Sequence, residues 1–257
     1  MHHNFQTITQ EVNCKINIGL QILRKRSDGY HDIQTIFYPT HFFTDKLTIE
    51  SHSHEFDFEC NSQENIGKAE DNLCVKAFRL LQANYGIEKV KITLDKHIPV
   101  GAGLGGGSAD AAFTLKMLAA AFHLPATHQQ LQHYAAKLGS DVAFFIDNAP
   151  VYATGRGEIM EPLDLDLSDH QIRIWKPDFA ISTRDAYADI TPKETDVYLP
   201  DEVQRPITEW NENIHNDFET SILHKYPELR TLKENIYAEG ALYASMTGSG
   251  TAMYGIF

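Results

Sequence analysis

Cationic side chains are scarce in this chain: 22 Lys and Arg stand against 35 Asp and Glu, giving a formal net charge of −13. Nucleic-acid affinity rests on clustered Lys and Arg that displace counterions. The acidic balance therefore excludes a general nucleic-acid binder and leaves room only for a local basic pocket around a small anion. Cysteine is scarce too. Cys14, Cys60 and Cys74 form an odd count with neither metal-ligand nor redox spacing, as expected of reduced thiols in a cytoplasmic protein. No apolar run approaches the roughly 18 residues of a membrane span, and the opening "MHHNFQTITQ" lacks the apolar centre of a secretory signal. No membrane partner is expected. Low-complexity tracts and fixed-period repeats are also missing. What remains is the composition of a globular protein, 42% hydrophobic and 22% charged, long enough at 257 residues for one large domain or two smaller ones.

Patterning supplies the elements. In "VNCKINIGLQI", Val12, Cys14, Ile16, Ile18, Leu20 and Ile22 alternate with Asn13, Lys15, Asn17, Gly19 and Gln21, which predicts a strand with one buried face. "RSDG" predicts a turn and "HDIQTIFYPT" the returning strand. "KLTIES" reads as a third strand and "FDFEC" as a short one. Asp71 or Asn72 caps a helix that runs to Tyr85 and ends at Gly86. "KVKITLD" is a strand, residues 109–123 form a helix that stops before Pro125, and Thr127 with Gln130 makes a capping box for a helix over 128–138. "DVAFFI" and "PVYATGRGE" read as strands, "MEPLDLDLSDH" as an acidic loop and "QIRIWKP" as a strand. Residues 187–206 are polar and punctuated by proline, residues 207–240 hold one or two helices, and "ALYASMTGSGTAMYGIF" is a closing hairpin. Strands and helices interleave without strict βαβ alternation, so the expected class is α+β in two lobes, 1–158 and 159–257.

Five of the seven residues from Gly101 to Gly107, in "PVGAGLGGGSADAA", are glycine. Gly101, Gly103 and Gly106 satisfy G-x-G-x-x-G. A dinucleotide fingerprint also needs a strand leading directly into the first glycine and an acid about 20 residues on. Here "DKHIPV" intervenes, and no Asp or Glu lies between Asp110 and Asp141. A P-loop needs lysine where Gly107 stands. What survives is the physics common to both motifs. Glycines let backbone N–H groups approach a ligand, and a following helix offers unpaired N–H groups and a positive dipole end. A phosphate fits there.

The same stretch resembles the P-x-x-x-G-L-G-[SG]-[GS]-S-[SA]-[DN]-A-A motif of the GHMP kinases. The resemblance extends in order through "CKINIGLQILRKRSDGYHDIQTIF", "DNLCVKAFRLL", "GSDVAFFI", "ATGRGEIMEPL" and "MTGSGTAMYGIF". The D-G-Y-H block is the most specific, and is similar to the branch of the family that acts on a cytidine-diphosphate-linked methylerythritol. Ala109 stands where serine is common, and Ser140 and Ala143 stand where alanine and proline are usual. The resemblance implies a two-lobed GHMP kinase fold, with an N-terminal lobe like ribosomal protein S5 domain 2 and a ferredoxin-like C-terminal lobe. It implies ATP-dependent phosphorylation of the 2-hydroxyl of that small-molecule substrate in non-mevalonate isoprenoid precursor biosynthesis, with Mg²⁺ carried by the nucleotide and no separate metal site. A monomer or weak homodimer is expected.

Roles are likewise implied by the resemblance. Lys15 and Asp141 form the catalytic pair. Pro99, Gly101, Gly103, Leu104, Gly105, Gly106, Gly107, Ser108 and Ala109 hold the ATP phosphates, with Asn72, Leu73 and Lys96 nearer the adenosine. Asn17 positions the acceptor, Tyr30 and His31 hold its cytosine, and Thr183 and Tyr187 come from the second lobe, Tyr187 as the other slice of an aromatic sandwich. Taken by themselves the residues permit plainer roles. Lys15 suits a solvated strand face, Asp141 a turn, Tyr30 and His31 ordinary packing, and "TGSG" (247–250) a simple hairpin turn. Another small-alcohol kinase of the family and a non-catalytic nucleotide sensor are the competing functions. The first gains nothing from Tyr30 and His31, and the second would tend to lose Lys15, Ser108 and Asp141.

Overall fold

The computed structural model describes residues 7–51, 55–64 and 66–257. The histidines at positions 2 and 3 lie outside the described residues. Contacts divide the chain into two compact units. One comprises residues up to Cys14, Phe43–Val100 and Gly105–Asn148; the other comprises Lys15–Phe42, Gly101–Leu104 and Ala149–Phe257. Two long strands, β1 (Ile8–Lys25) and β2 (His31–Ser51), run through both. The expected separate strands at 31–40 and 46–51 are thus one continuous strand, because Pro39 removes a single N–H donor without breaking the extended backbone.

In the first unit the late part of β2 pairs antiparallel with β4 (Val90–Asp95), Lys46 opposite Asp95 and Ser51 opposite Val90. β3 (Asp57–Asn61) adds to β4 in parallel. Four helices accompany them: α1 (Leu73–Tyr85), α2 (Gly106–Ala121), α3 (His128–Leu138) and α4 (Ser140–Asp147). Asn72 caps α1 by accepting from the Cys74 N–H, and Gly86 closes it in the left-handed region. The Thr127–Gln130 capping box is present. Two expectations change. α2 begins at Gly106 rather than 109, so two of the glycines form its first turn. "DVAFFI" is helix α4, not a strand. A six-residue apolar run has no distinctive period, and here Gly139 before it and left-handed Asn148 after it bound a helix packed on α2 and α3.

In the second unit the early part of β2 pairs antiparallel with β5 (Val151–Gly155), and β5 with β6 (Ile159–Pro162). β6 takes up the start of the segment expected as loop. A separate antiparallel sheet has the order β7 (Ile172–Trp175), β9 (Met253–Ile256), β8 (Tyr243–Met246), so the closing hairpin forms as expected. Its helices are α5 (Thr183–Ala188), α6 (Leu199–Glu202), α7 (Phe218–Lys225) and α8 (Pro227–Ala238). Leu20, Ile22, Phe218, Ile222, Leu229, Ile236, Met246 and Met253 share one core there. The class is α+β, as the pattern predicts.

Candidate active site

The polar face of β1 departs from the simple amphipathic strand. Asn13, Lys15, Asn17 and Gln21 are as buried as the apolar residues between them. Burial of a lysine to 4% exposure excludes the solvated role, because an ammonium taken from water must recover its solvation from partners. Lys15 Nζ donates to Asn17 Oδ1 at 2.5 Å and to the Gly103 carbonyl at 3.0 Å. It also lies 4.9 Å from the centre of the Phe37 ring. The Asn17 amide is fixed in turn: Nδ2 donates to Thr35 Oγ1, whose hydroxyl donates to the Gly19 carbonyl. Asn17 therefore orients Lys15. Gly19 is closely packed as well: a Cβ there would meet Ile214 and Leu199 at 3.1–3.3 Å.

The glycine loop is anchored at both ends. Residues Gly101–Leu104 belong to the second unit, where the Lys15 N–H donates to the Leu104 carbonyl. The "TGSG" segment packs on this stretch. A Cβ on Gly103 would lie 2.2 Å from the Thr247 carbonyl oxygen, and one on Gly250 2.4 Å from the Ala102 carbonyl carbon. The Thr247 hydroxyl accepts from the Asn17 N–H. "TGSG" is therefore a hairpin turn and a wall of the loop at once. Asn216 holds this wall, with Nδ2 donating to the carbonyls of Met246 and Gly248, and Glu219 accepts from the Ser245 hydroxyl and the Met246 N–H. Neither was foreseeable: both lie in a polar stretch with no motif, and these partners are 26–32 residues away in the chain.

In the first unit, the N-terminal turn of α2 presents Gly106, Gly107, Ser108 and Ala109, with Gly105 left-handed before it. Beneath it lies a buried charge cluster. Lys96, with its side chain 7% exposed, is paired with Asp45 and with Asp110 Oδ2 at 3.0 Å. Asp45 also accepts from the N–H groups of His97 and Ile98. Burial, reinforced by Asp45 and opposed by Lys96, pushes the Asp110 carboxyl up to about 8. The two aspartates raise the Lys96 ammonium although burial opposes its charge. A Cβ on Gly106 would sit 2.8 Å from Lys96 Nζ, so this ammonium supports the helix start. A cleft of about 700 Å³ lies alongside, lined by Phe43, Asn61–Glu64, Lys96–Ile98 and Val100. Pro99 is in the connection beside it. Asn72 and Leu73 stand at the head of α1, the Asn72 side chain occupied by its cap. Asp141 is in the first turn of α4, where a negative charge suits the helix dipole.

The D-G-Y-H turn lies in the second unit. Tyr30 is 57% exposed; its N–H donates to Asp28 and its carbonyl accepts from the Arg26 N–H. His31 stacks on Tyr187 with ring centres 4.8 Å apart, and Tyr187 meets Phe218 edge-on. Burial, then Lys25, lowers the His31 pKa, so the ring is neutral at pH 7. One ring face of Tyr187 is thus covered by His31. Thr183 Oγ1 is 3.2 Å from Ser249 Oγ, which places it at "TGSG".

Two family models match this chain, the GHMP kinases N-terminal domain over residues 72–149 and the GHMP kinases C-terminal domain over 200–257. A protein of Bacteroides thetaiotaomicron named 4-diphosphocytidyl-2-C-methyl-D-erythritol kinase is 46% identical over 248 residues, 95% of this chain and 90% of that one. This chain belongs to the GHMP kinase family. A crystal structure described as 4-(cytidine 5'-diphospho)-2C-methyl-D-erythritol kinase superimposes with a TM-score of 0.83 at 29% identity, covering 97% of this GHMP kinase and 90% of that chain. Homoserine kinase from Cytophaga hutchinsonii shares the GHMP kinase fold at 15% identity, with a TM-score of 0.69 over 97% and 85% of the two chains. Among the described residues no group of three or more His, Cys, Asp or Glu could hold a metal ion, and no helix is long and apolar enough to cross a membrane.

Proposed function

We propose that this GHMP kinase transfers the γ-phosphoryl group of ATP to the 2-hydroxyl of 4-diphosphocytidyl-2-C-methyl-D-erythritol, giving the 2-phosphate and ADP for isoprenoid precursor synthesis. The observation that carries this is the 46% identity, over 95% of this chain, to a relative of that name; the D-G-Y-H block agrees with it. Residues 1–158 form the lobe with the phosphate loop and catalytic residues, and 159–257 form the lobe that adds to the acceptor site; the separate family-model matches support that division. The enzyme works in the cytoplasm on small molecules, as a monomer or weak homodimer, without nucleic-acid or membrane partners.

Phosphoryl transfer asks a protein mainly for positioning and charge stabilisation. The backbone from Gly101 to Ala109, with Pro99 setting its entry, cradles the triphosphate at the head of α2. The cleft beside Lys96 takes the adenosine end, with Asn72 and Leu73 contributing. Lys96 acts from beneath the loop rather than through a free ammonium. Lys15, held by Asn17 and Gly103 in a site shielded from water, stabilises the charge that develops on the transferring group. Asp141 accepts the proton of the 2-hydroxyl. Tyr30, His31, Thr183 and Tyr187 bind the cytidine end. Mg²⁺ accompanies the nucleotide and neutralises phosphate charge when bound. It commonly keeps waters and substrate phosphates as ligands and needs few protein groups, and the Ser108 hydroxyl suits that limited part. A coupled ADP-release assay with this acceptor tests the proposal. Turnover is expected; ATP binding without acceptor-dependent ADP release overturns it.

A further inference from the structure

The segment after β5 places an arginine against the most exposed aromatic ring of the D-G-Y-H turn. Gly155 (φ +69°) and Gly157 (φ +102°) are both left-handed, and they turn the chain within four residues from β5 into β6. Glu158 locks the turn from inside. Its carboxylate accepts from the Arg156 N–H and lies 3.5 Å from Arg156 Nε, filling the space where a Cβ on Gly155 would fall. The Arg156 guanidinium is thereby set 4.8 Å from the centre of the Tyr30 ring. The Tyr30 backbone is fixed from its own turn, its N–H donating to Asp28, which Arg156 also faces electrostatically. A tyrosine at this exposure would ordinarily sample several rotamers and offer both faces to solvent.

We propose that Arg156 is a positioning residue for acceptor specificity. Its guanidinium backs one face of Tyr30 and leaves the other as a single, pre-oriented platform for a planar base. This rests on the proposed function, in which Tyr30 binds the cytosine. Stacking beneath a guanidinium holds the ring at the angle the base requires, so less ordering remains to be done on binding. The "T-G-R-G-E" sequence is then a device for the acceptor, although it lies more than 120 residues from Tyr30 in the chain.

The test is a double-mutant cycle with cytidine 5'-diphosphate as probe, read by calorimetric titration and by steady-state kinetics on the full acceptor. Arg156→Met is expected to raise the Kd for the probe, and the KM for the acceptor, by about two- to fivefold. The change falls in acceptor KM rather than in kcat or in KM for ATP. Arg156→Lys, which keeps a cation over the ring, recovers most of the loss. In a Tyr30→Ala background Arg156→Met has no further effect, because the two residues act as one unit. A loss that persists in that background overturns the inference, since Arg156 would then act without Tyr30. An unchanged Kd in Arg156→Met, with the unmutated protein binding the probe, also overturns the inference and leaves the proposed function standing. Failure of the unmutated protein to bind the probe, while it binds ATP, overturns both.

Discussion

At the scale of residues, burial decides which polar groups matter. Lys15 and Asn17 alternate with Ile16 and Ile18 in the sequence just as solvated residues would, and only their enclosure distinguishes them. Asp141→Asn is expected to keep the acceptor affinity and lose about 10²- to 10⁴-fold in kcat, the span of general-base catalysis. A variant that turns over nearly as fast as the unmutated enzyme would remove Asp141 from the mechanism. Asp110 gives a second prediction. Its pKa lies well above the 3.8 of an unperturbed carboxyl, near 8. Between those values the folded state binds more protons than the unfolded state, so this group's contribution to stability falls as pH rises. Urea unfolding of Asp110→Asn should lose most of that decline between about pH 4 and pH 8; an unchanged pH dependence would show that Asp110 is ionised throughout. The buried lysine and aspartates were legible as letters only. Nothing in their spacing says that residues 45, 96 and 110 meet.

At the scale of elements, capping chemistry was readable and one short apolar run was not. Asn72, Gly86, Thr127 and Gln130 sit where local hydrogen bonding requires them, because a cap is satisfied by its own neighbours. "DVAFFI" failed because a short apolar run fits strand and helix equally, and packing between α2 and α3 chose. The glycine loop separates into positions with different tolerances. Gly107 is exposed, helical, and has open space where a side chain would go. Gly107→Ala is expected to stabilise the protein by about 0.5–1 kcal/mol through helix propensity while raising KM for ATP, as its methyl group meets the phosphates. Gly103→Ala is expected to lower the melting temperature, because its Cβ would collide with the Thr247 carbonyl and its φ is +80°. Thermal melts and ATP titrations of the two variants separate these effects; equal behaviour would mean that the loop is uniformly soft.

At the scale of the whole molecule, ligand linkage gives the broadest check. A ligand that binds the folded state alone, at 100 times its Kd, stabilises that state by about 2.7 kcal/mol, or roughly 5–10 °C for a chain of this size. Cytidine 5'-diphosphate and ATP should each produce such a shift. A response to ATP alone would favour a kinase for a nucleotide-free alcohol. The amino-acid sequence by itself determined the α+β class, most strands and helices, and the family. These depend on local patterning and on short motifs whose residues are neighbours in the chain. The tertiary structure alone decided that the polar face of β1 is enclosed, that Lys96 supports the loop from below, that His31 covers Tyr187 and that Arg156 lies on Tyr30. Each of these joins residues distant in sequence. Burial and mutual charge are properties of the folded neighbourhood, and no period or spacing along the chain encodes them.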